Sequence, residues 1–331
     1  MRLNRAGRVF LAAVGGLALA VLAAACSSSS AATVPPPPRG LEKTHLTVGA
    51  LPVVDSVGLY LAIKNGYFQQ EGLTVTADPV SKSTDAIPEM EQGKVDIIAG
   101  ANYVSFFQSQ LSSGGKLKFK VLVDGTSCGP DTFDILTLPG SGITSPAQLA
   151  GKTVAVNILN NIQTLLTNTA LRAANVNPAT VHYKLVPFPK MTAALETHQV
   201  DAISAVEPFI TGAELKAGAQ TILSTCNGPT ASFPISGYFA TQAWTQEYPN
   251  TARAFQAAMA RGQALADSSR ADVEQALTGY IKGLSSQEAA IVNLGQFPTT
   301  LDTTHLQRVA SLMATGGLVS RQFSVQPLIF H

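Results

Sequence analysis

Four polar side chains follow short apolar runs at two matching intervals along the chain. Asn102 and Glu207 are 105 residues apart, and Asp55 and Asn161 are 106 residues apart. Open α/β sheets bind ligands beside the carboxyl ends of their strands, so these side chains would face each other across one cleft. Carboxylates accept hydrogen bonds, and carboxamides both accept and donate them. These side chains could therefore bind a small polar molecule through hydrogen bonds.

Two repeated words in the sequence support those intervals. Val95-Asp96 recurs as Val200-Asp201 and Thr47-Val48 recurs as Thr153-Val154, at offsets of 105 and 106 residues. Short apolar words also recur by chance, but the agreement between the two offsets favours a duplicated unit and hence two similar lobes.

The elements that carry these words alternate between strand and helix from Thr44 to about Ala243. Such alternation indicates an α/β fold with parallel sheets. Beyond that point the strand patterns stop and four helical patterns follow, which are Asn250 to Ala266, Asp272 to Lys282, Ser286 to Leu294 and Thr303 to Met313.

Residues 1–25 are predicted to be an export signal. Three arginines precede an uncharged apolar run that ends at Ala25, and Cys26 follows at once. The word Leu22-Ala23-Ala24-Ala25-Cys26 resembles the lipobox of bacterial lipoproteins, which implies cleavage before Cys26 and a diacylglycerol on its thiol. A signal anchor with an incidental cysteine is the alternative. The Ser- and Pro-rich residues 26–43 are expected to be a tether.

Charge and cysteine content exclude several classes of protein. Charged residues make up 13% of the 331 residues, and the net charge is +1. Loss of residues 1–25 removes three arginines and no acids, which lowers the net charge to −2. A chain without a basic patch has no electrostatic footprint for nucleic acid. Three cysteines cannot form a disulfide-dense scaffold or a zinc ribbon.

Cys128 and Cys226 are the two cysteines that remain beyond Cys26. Each lies shortly before a Gly-Pro pair and before one expected crossing between lobes. An exported compartment permits a disulfide, so we expect a bridge between them. Two separate thiols are the alternative.

A longer segment resembles a known family. Val57 to Val75 contains the words Gly66-Tyr67-Phe68 and Glu71-Gly72-Leu73 and resembles the signature of periplasmic binding proteins for nitrate, sulfonates, taurine and thiamine precursors. The resemblance covers residues 44–245, with one departure at Gly58, where the family usually has proline. Further matching words follow in order, which are Gly93-Lys94-Val95-Asp96, Leu149-Ala150-Gly151-Lys152-Thr153-Val154-Ala155-Val156, Val200-Asp201-Ala202 and Glu207-Pro208.

The resemblance implies an α/β fold shaped as a two-lobe clamshell with two hinge crossings. Lobe 1 is expected to comprise residues 44–134 and 241–331, and lobe 2 residues 135–240. The crossings are expected at Phe133 to Leu138 and at Ile235 to Ala240, and the C-terminal helices are expected to return to lobe 1.

The resemblance also implies a transport function. A monomer, anchored through Cys26 to the outer face of the bacterial cytoplasmic membrane, would capture a small molecule and deliver it to the permease of an ABC importer. No cofactor, metal ion, nucleic acid or catalysis is expected.

The loops at the expected cleft mouth contain no Arg or Lys. Carboxylates and carboxamides dominate there, which suits an amine or an aminopyrimidine of the thiamine-precursor type. A sulfonate, taurine or nitrate held by helix N-termini is the alternative. The candidate ligand contacts are Asp55, Ser56, Asn102, Tyr103, Thr126, Asn157, Asn160, Asn161, Glu207 and Phe209.

Structural roles compete with binding for several of these residues. Asp55 and Asn102 could cap the helices that follow them. Tyr103 belongs to an aromatic set at helical spacing that suits a core, and Glu207 precedes Pro208 at a helix start, where the helix dipole favours an acid.

Enzymes and non-transport lipoproteins are the other classes considered. The five histidines are scattered without the spacing of metal ligands, and Pro139 stands where a nucleophile elbow at Ser141 needs glycine. Pyrimidine synthases share the implied fold, but they are intracellular and carry a cysteine-rich motif that this chain lacks. A lipoprotein acting in signalling or adhesion would use the same fold without transport.

Overall fold

A computed structural model of the protein describes residues 40–331. The expected signal peptide, the lipidation site Cys26 and the tether up to residue 39 lie outside the described residues. Among the residues that are described, no helix is both long and apolar enough to cross a membrane.

The last residues assigned to the tether are bonded to the folded part. Glu42 Oε2 accepts a hydrogen bond from the Thr251 N–H at 3.0 Å, and Lys43 Nζ lies 2.6 Å from Asp96 Oδ1. The folded part therefore begins a few residues earlier than the sequence predicts.

Two five-stranded sheets form the frame of the molecule, in the orders β2-β1-β3-β10-β4 and β7-β6-β8-β5-β9. In each sheet three strands run parallel, and the strand beside them is antiparallel to both of its neighbours. The strands are β1 (His45–Ala50), β2 (Thr74–Pro79), β3 (Ile97–Asn102), β4 (Phe119–Ser127), β5 (Phe133–Thr137), β6 (Thr153–Val156), β7 (His182–Leu185), β8 (Ala202–Val206), β9 (Gln220–Ser224) and β10 (Pro234–Thr241).

The duplicated words occupy equivalent places in the two sheets. Asp96 Oδ2 accepts a hydrogen bond from the Thr47 N–H at 2.9 Å, and Asp201 Oδ2 accepts one from the Thr153 N–H at 2.8 Å. In each lobe this carboxylate ties the start of the third parallel strand to the start of the first. The prediction of two similar lobes is confirmed.

The boundaries between the lobes differ from those expected. Residues up to 240 were expected in lobe 2, but β10 pairs with β3 and β4 of the first sheet. Likewise β5, expected partly in lobe 1, lies wholly in the second sheet. The reason is that each strand that follows a crossing completes the sheet the chain is entering. The connecting segments are therefore residues 128–132 and 225–233, and the disulfide between Cys128 and Cys226 joins them.

Helices cover both sheets, and five of the described helices follow β10. The helices are α1 (Val57–Lys64), α2 (Tyr67–Gln70), α3 (Ile87–Glu91), α4 (Tyr103–Ser112), α5 (Ile162–Ala173), α6 (Phe188–Glu196), α7 (Phe209–Ala217), α8 (Gln242–Glu247), α9 (Pro249–Ser268), α10 (Arg270–Tyr280), α11 (Ser286–Ile291) and α12 (Thr303–Thr315). Helix α9 packs on α1, and α12 packs on α4 and β10, so the C-terminal helices return to lobe 1.

The packing of α1 against α9 explains the unusual glycine at position 58. A Cβ on Gly58 would lie 1.9 Å from Oε1 of Gln263, and a Cβ on Gly262 would lie 2.2 Å from the carbonyl oxygen of Gly58. At Gly262 the obstacle is backbone, so that position has no room for a side chain. At Gly58 a side chain, including the proline usual in the family that the sequence resembles, would displace the buried amide of Gln263.

Candidate ligand-binding cleft

Residues from both sheets enclose a cavity of about 30 Å³ at the carboxyl ends of β1, β3, β6 and β8. Pockets that hold small ligands usually have volumes of about 300–1,000 Å³. The two walls are therefore closed on each other, and they have to move apart before a heterocycle fits. The lining residues are Leu51, Val53, Asp55, Gly100, Asn102, Phe133, Asn157, Asn161, Ile162, Gln163, Phe188, Val206 and Ile235.

Asp55 is the one ionisable side chain among these lining residues. It lies in a single 3₁₀ turn, Val54–Ser56, and the position before α1 is Ser56, so Asp55 does not cap that helix. Burial raises the pKa of Asp55, and hydrogen bonds from the hydroxyls of Ser236 and Thr126 oppose that rise. Its carboxylate is thus partly desolvated but keeps polar neighbours.

Gly100 makes room for the turn that carries Asp55. Its φ is +63°, in the left-handed region, and a Cβ there would lie 2.8 Å from Ser56 Oγ and 3.5 Å from Asp55 Cβ. A side chain at position 100 would push the turn away from the end of β3.

Asn102 contributes to the same wall through one half of its carboxamide. Its Oδ1 accepts a hydrogen bond from the Ser105 N–H at 2.8 Å, so Asn102 caps α4. Within residues 40–331, its Nδ2 group makes no hydrogen bond, although the residue lines the cavity. Capping and ligand contact are therefore compatible, because they use different atoms.

The facing wall, in lobe 2, is a network of carboxamides. Asn161 caps α5 by accepting from the Thr164 N–H at 3.2 Å, and its Nδ2 donates to Asn157 Oδ1 and to Gln163 Oε1, both at 3.0 Å. Gln163 also accepts from the Asn157 N–H at 2.9 Å. The network uses the oxygen of Asn157 and leaves its Nδ2 without a hydrogen bond inside the described part of the chain.

Glu207 lies beside the cleft rather than in its lining, and protein donors already bind its carboxylate. Oε1 accepts from the Asn293 N–H and the Thr211 hydroxyl, both at 2.9 Å, and Oε2 accepts from the Thr211 N–H at 3.2 Å. Burial raises the pKa of Glu207 to about 7 against the opposing effect of these donors. Together with Asp55 and Thr126, Glu207 lines a second, smaller cavity of about 10 Å³.

Tyr103 and Ser56 lie behind the cleft wall. Tyr103 is fully buried, and its hydroxyl donates to Asp124 Oδ1 at 2.7 Å while its ring packs against Phe107 and Phe239. Burial raises the pKa of Asp124 to about 7 in spite of that hydrogen bond. Tyr103 is therefore a core residue and not a ligand contact, because the first residue of α4 faces the interior of lobe 1.

Asn160 and Phe209 lie in other grooves. Asn160 lines a surface groove together with Leu159, Leu111 and the segment 318–323. Phe209 stacks on Phe188 with ring centroids 5.3 Å apart, so it supports the cavity from outside.

Sequence reasoning missed the apolar part of the cavity and Gln163. Phe133 and Ile235 stand at the starts of the two strands that follow the crossings, and Phe188 begins α6. For Phe133 and Ile235, the position just after a connecting segment was the available signal. Gln163 is the second residue of α5, and nothing in its type marked it as the residue that orients two asparagines.

A family model described as NMT1/THI5 like matches residues 54–269, which is more than half of the 331-residue chain. The chain belongs to the NMT1/THI5-like family. The family resemblance inferred from the sequence is thereby confirmed. No curated protein matches the chain.

Solved structures share the fold of this NMT1/THI5-like protein at low sequence identity. The periplasmic aliphatic sulphonate binding protein SsuA from Escherichia coli is 17% identical, with a TM-score of 0.68 over 87% of this chain and 98% of its own. The alkanesulfonate-binding protein SsuA from Xanthomonas axonopodis pv. citri is 17% identical, with a TM-score of 0.71 over 88% and 99%. The periplasmic nitrate-binding protein NrtA from Synechocystis PCC 6803 is 15% identical, with a TM-score of 0.67 over 80% and 74%. The two-lobe fold of periplasmic binding proteins is confirmed.

All residues that line the cavity, except Leu51 and Val53, lie inside residues 54–269, the segment matched to the NMT1/THI5-like family. Asn293, which binds Glu207, lies outside that segment. Among the residues that the structure describes, no group of three or more His, Cys, Asp or Glu side chains could hold a metal ion.

Proposed function

We propose that this NMT1/THI5-like protein is an extracytoplasmic solute-binding lipoprotein that captures a small molecule between its lobes and delivers it to the permease of an ABC importer. The observation that carries the proposal is the cavity at the carboxyl ends of both sheets, where the Asp55 carboxylate faces the carboxamides of Asn157, Asn161 and Gln163. The fold it shares with proteins named for binding sulfonates and nitrate supports the same role. The lipobox-like word ending at Cys26 supports anchoring of the chain to the membrane.

The hydrogen-bonding groups left over by the protein define the ligand class. Asp55 offers acceptors, while Asn102 and Asn157 offer the Nδ2 donors that their own networks do not use. The complementary ligand carries N–H donors on one edge and an acceptor nitrogen or oxygen on another. Phe133 and Phe188 provide apolar walls for a planar ring. An aminopyrimidine of the thiamine-precursor type meets all of these requirements, and a simple amine meets the first.

Anionic ligands are the second candidate, favoured by the names of the structural relatives. The cavity lining contains no Lys or Arg, and Asp55 would repel an anion. A sulfonate, taurine or nitrate could then bind only through backbone N–H groups and carboxamides. The balance of charge in the lining therefore favours the nitrogen heterocycle.

Binding rather than catalysis is the role that these groups support. The buried carboxylates Asp124 and Glu207 are bonded to Tyr103, Thr211 and Asn293, so neither is poised as a general base toward the cavity. An uptake assay distinguishes a transport protein from a pyrimidine synthase or a signalling lipoprotein of the same fold. Cells that lack this chain would lose uptake of the labelled ligand only if the protein serves transport.

Ligand-induced shifts in melting temperature test the proposal. The full exported chain is heated with aminopyrimidines, alkylamines, taurine and other sulfonates, and nitrate. A ligand present at a hundred times its dissociation constant stabilises the folded state by about 2.7 kcal/mol, which is readily measured. We expect stabilisation by an aminopyrimidine. Stabilisation by anions alone would overturn the ligand class, and no shift with any compound would count against solute binding of this kind.

A further inference from the structure

Glu207 connects the two lobes instead of pointing at the cavity. It stands in lobe 2 after β8, whereas Asn293 stands after α11 in the C-terminal part of lobe 1. The Asn293 N–H donates to Glu207 Oε1 at 2.9 Å, and the Asn293 Nδ2 lies 3.3 Å from the same oxygen. The Val54 N–H of lobe 1 donates to the backbone carbonyl of Glu207 at 3.4 Å. Two separate segments of lobe 1 thus meet at one residue of lobe 2.

The carboxylate is held ready for this contact from within its own lobe. Thr211, in the first turn of α7, binds both carboxylate oxygens through its hydroxyl and its N–H. Those bonds survive when the lobes part, whereas the bonds to Asn293 break. Glu207 is 2% exposed, and a buried carboxylate needs partners on all sides, so separation of the lobes removes contacts that the closed form supplies.

An ion pair joins the helices beside these two residues, α7 and α11. Lys216 Nζ, near the end of α7, lies 3.0 Å from Glu288 Oε1 on α11. The Glu288 carboxylate is also bound by the backbone and hydroxyl of Ser285, and these bonds together with Lys216 lower its pKa to about 2. Helix α7 is therefore fastened to the segment around α11 at both of its ends.

We propose that Glu207 is a positioning residue that latches lobe 2 to Asn293 in the closed form and so sets the fraction of molecules that are closed. The latch itself does not depend on the function proposed above. Only its effect on the affinity for a ligand rests on that function. A ligand that binds the closed form gains apparent affinity in proportion to the closed fraction. Glu207 then influences affinity without touching the solute.

Hydrogen exchange in the ligand-free full chain tests the latch directly. We expect Glu207→Ala to speed exchange of the Asn293 and Val54 amides by at least about tenfold, since a hydrogen bond to a charged group contributes about 1.5–3 kcal/mol. The Val54 amide binds a backbone carbonyl that the substitution leaves in place, so its exchange reports separation of the lobes. Glu207→Gln keeps an oxygen for Asn293 and is expected to stay within about threefold of the wild type.

Lys190→Ala is the control, because it truncates an exposed side chain of lobe 2, on α6, that makes no hydrogen bond or ion pair in the part of the chain that is described. Amides of β1 and β6 serve as internal references for global unfolding. Should Glu207→Ala not fold, Glu207→Asp, which shortens the side chain by one methylene, carries the same test.

Unchanged exchange at Val54 and Asn293 in Glu207→Ala would overturn the latch, and so would equal acceleration in Glu207→Gln. Aminopyrimidine binding is measured separately. Loss of that binding with unchanged exchange would make Glu207 a ligand contact and would also overturn the proposal. If no aminopyrimidine binds the wild type, the ligand class fails while the exchange data still decide the latch.

Discussion

Removal of the disulfide between the two crossings is expected to cost the protein a large part of its stability. Cys128 and Cys226 are separated by 98 residues, and the loop they close contains every strand of the second sheet. In the chain-entropy model, closing a loop of about 100 residues is worth about 4.7 kcal/mol at 25 °C. Folded domains have net stabilities of only about 5–15 kcal/mol. Cys128→Ala/Cys226→Ala should therefore lower the free energy of unfolding by about 4–5 kcal/mol.

Denaturant unfolding of the full exported chain measures this loss. Far-UV circular dichroism follows both lobes, and the single tryptophan, Trp244, reports lobe 1 by fluorescence. The reduced wild type should match the double variant, because neither protein has the cross-link. A loss below about 1 kcal/mol would refute the entropic reasoning, and two free thiols in the unreduced wild type would refute the bridge itself.

Two further predictions concern buried groups of lobe 1. The pKa of Asp124 is raised to about 7 in the folded state, so its stabilising contribution is complete below its unfolded pKa of about 4 and is lost as the pH rises through about 7. Asp124→Asn keeps an acceptor for Tyr103 but does not titrate. Its free energy of unfolding should therefore rise relative to that of the wild type between about pH 5 and pH 8. The prediction is contradicted if the difference in unfolding free energy between the two proteins is the same at both pH values. Gly58→Ala should lose about 1–3 kcal/mol because its Cβ would collide with Gln263. Gly279→Ala, on a helix with open space around it, should gain about 0.5–1 kcal/mol as the control, with both measured by thermal unfolding.

Much of the fold could be predicted because its signals are local. The words around Asp96 and Asp201 mark the same strand in both lobes, since the same carboxylate-to-backbone bond recurs at each. The lobe boundaries were placed several residues late because pairing of β10 with β3 and β4 depends on contacts more than a hundred residues away in sequence.

The site could be predicted only in part, because local signals mark some of its residues while others depend on distant contacts. Asp55, Asn102 and Asn157 were found because each lies at the carboxyl end of a strand or within a few residues after it. Tyr103 also follows a strand, but the direction of its side chain depends on how α4 is oriented. The partner of Glu207 is 86 residues away, and nothing near Glu207 in the sequence indicates that a backbone N–H from the C-terminal helices will occupy it.

The central claim is that the cleft binds a nitrogen heterocycle through Asp55. Titration calorimetry of the aminopyrimidine with the largest melting shift tests it most directly, on the wild type, Asp55→Asn and the surface control Asp85→Asn. Asp85 is half exposed, and Lys82 is its one ion-pair partner among residues 40–331. Loss of a charge-assisted hydrogen bond worth about 1.5–3 kcal/mol weakens binding by about 10- to 100-fold. We expect that weakening in Asp55→Asn alone, and equal affinity in all three proteins would contradict the account.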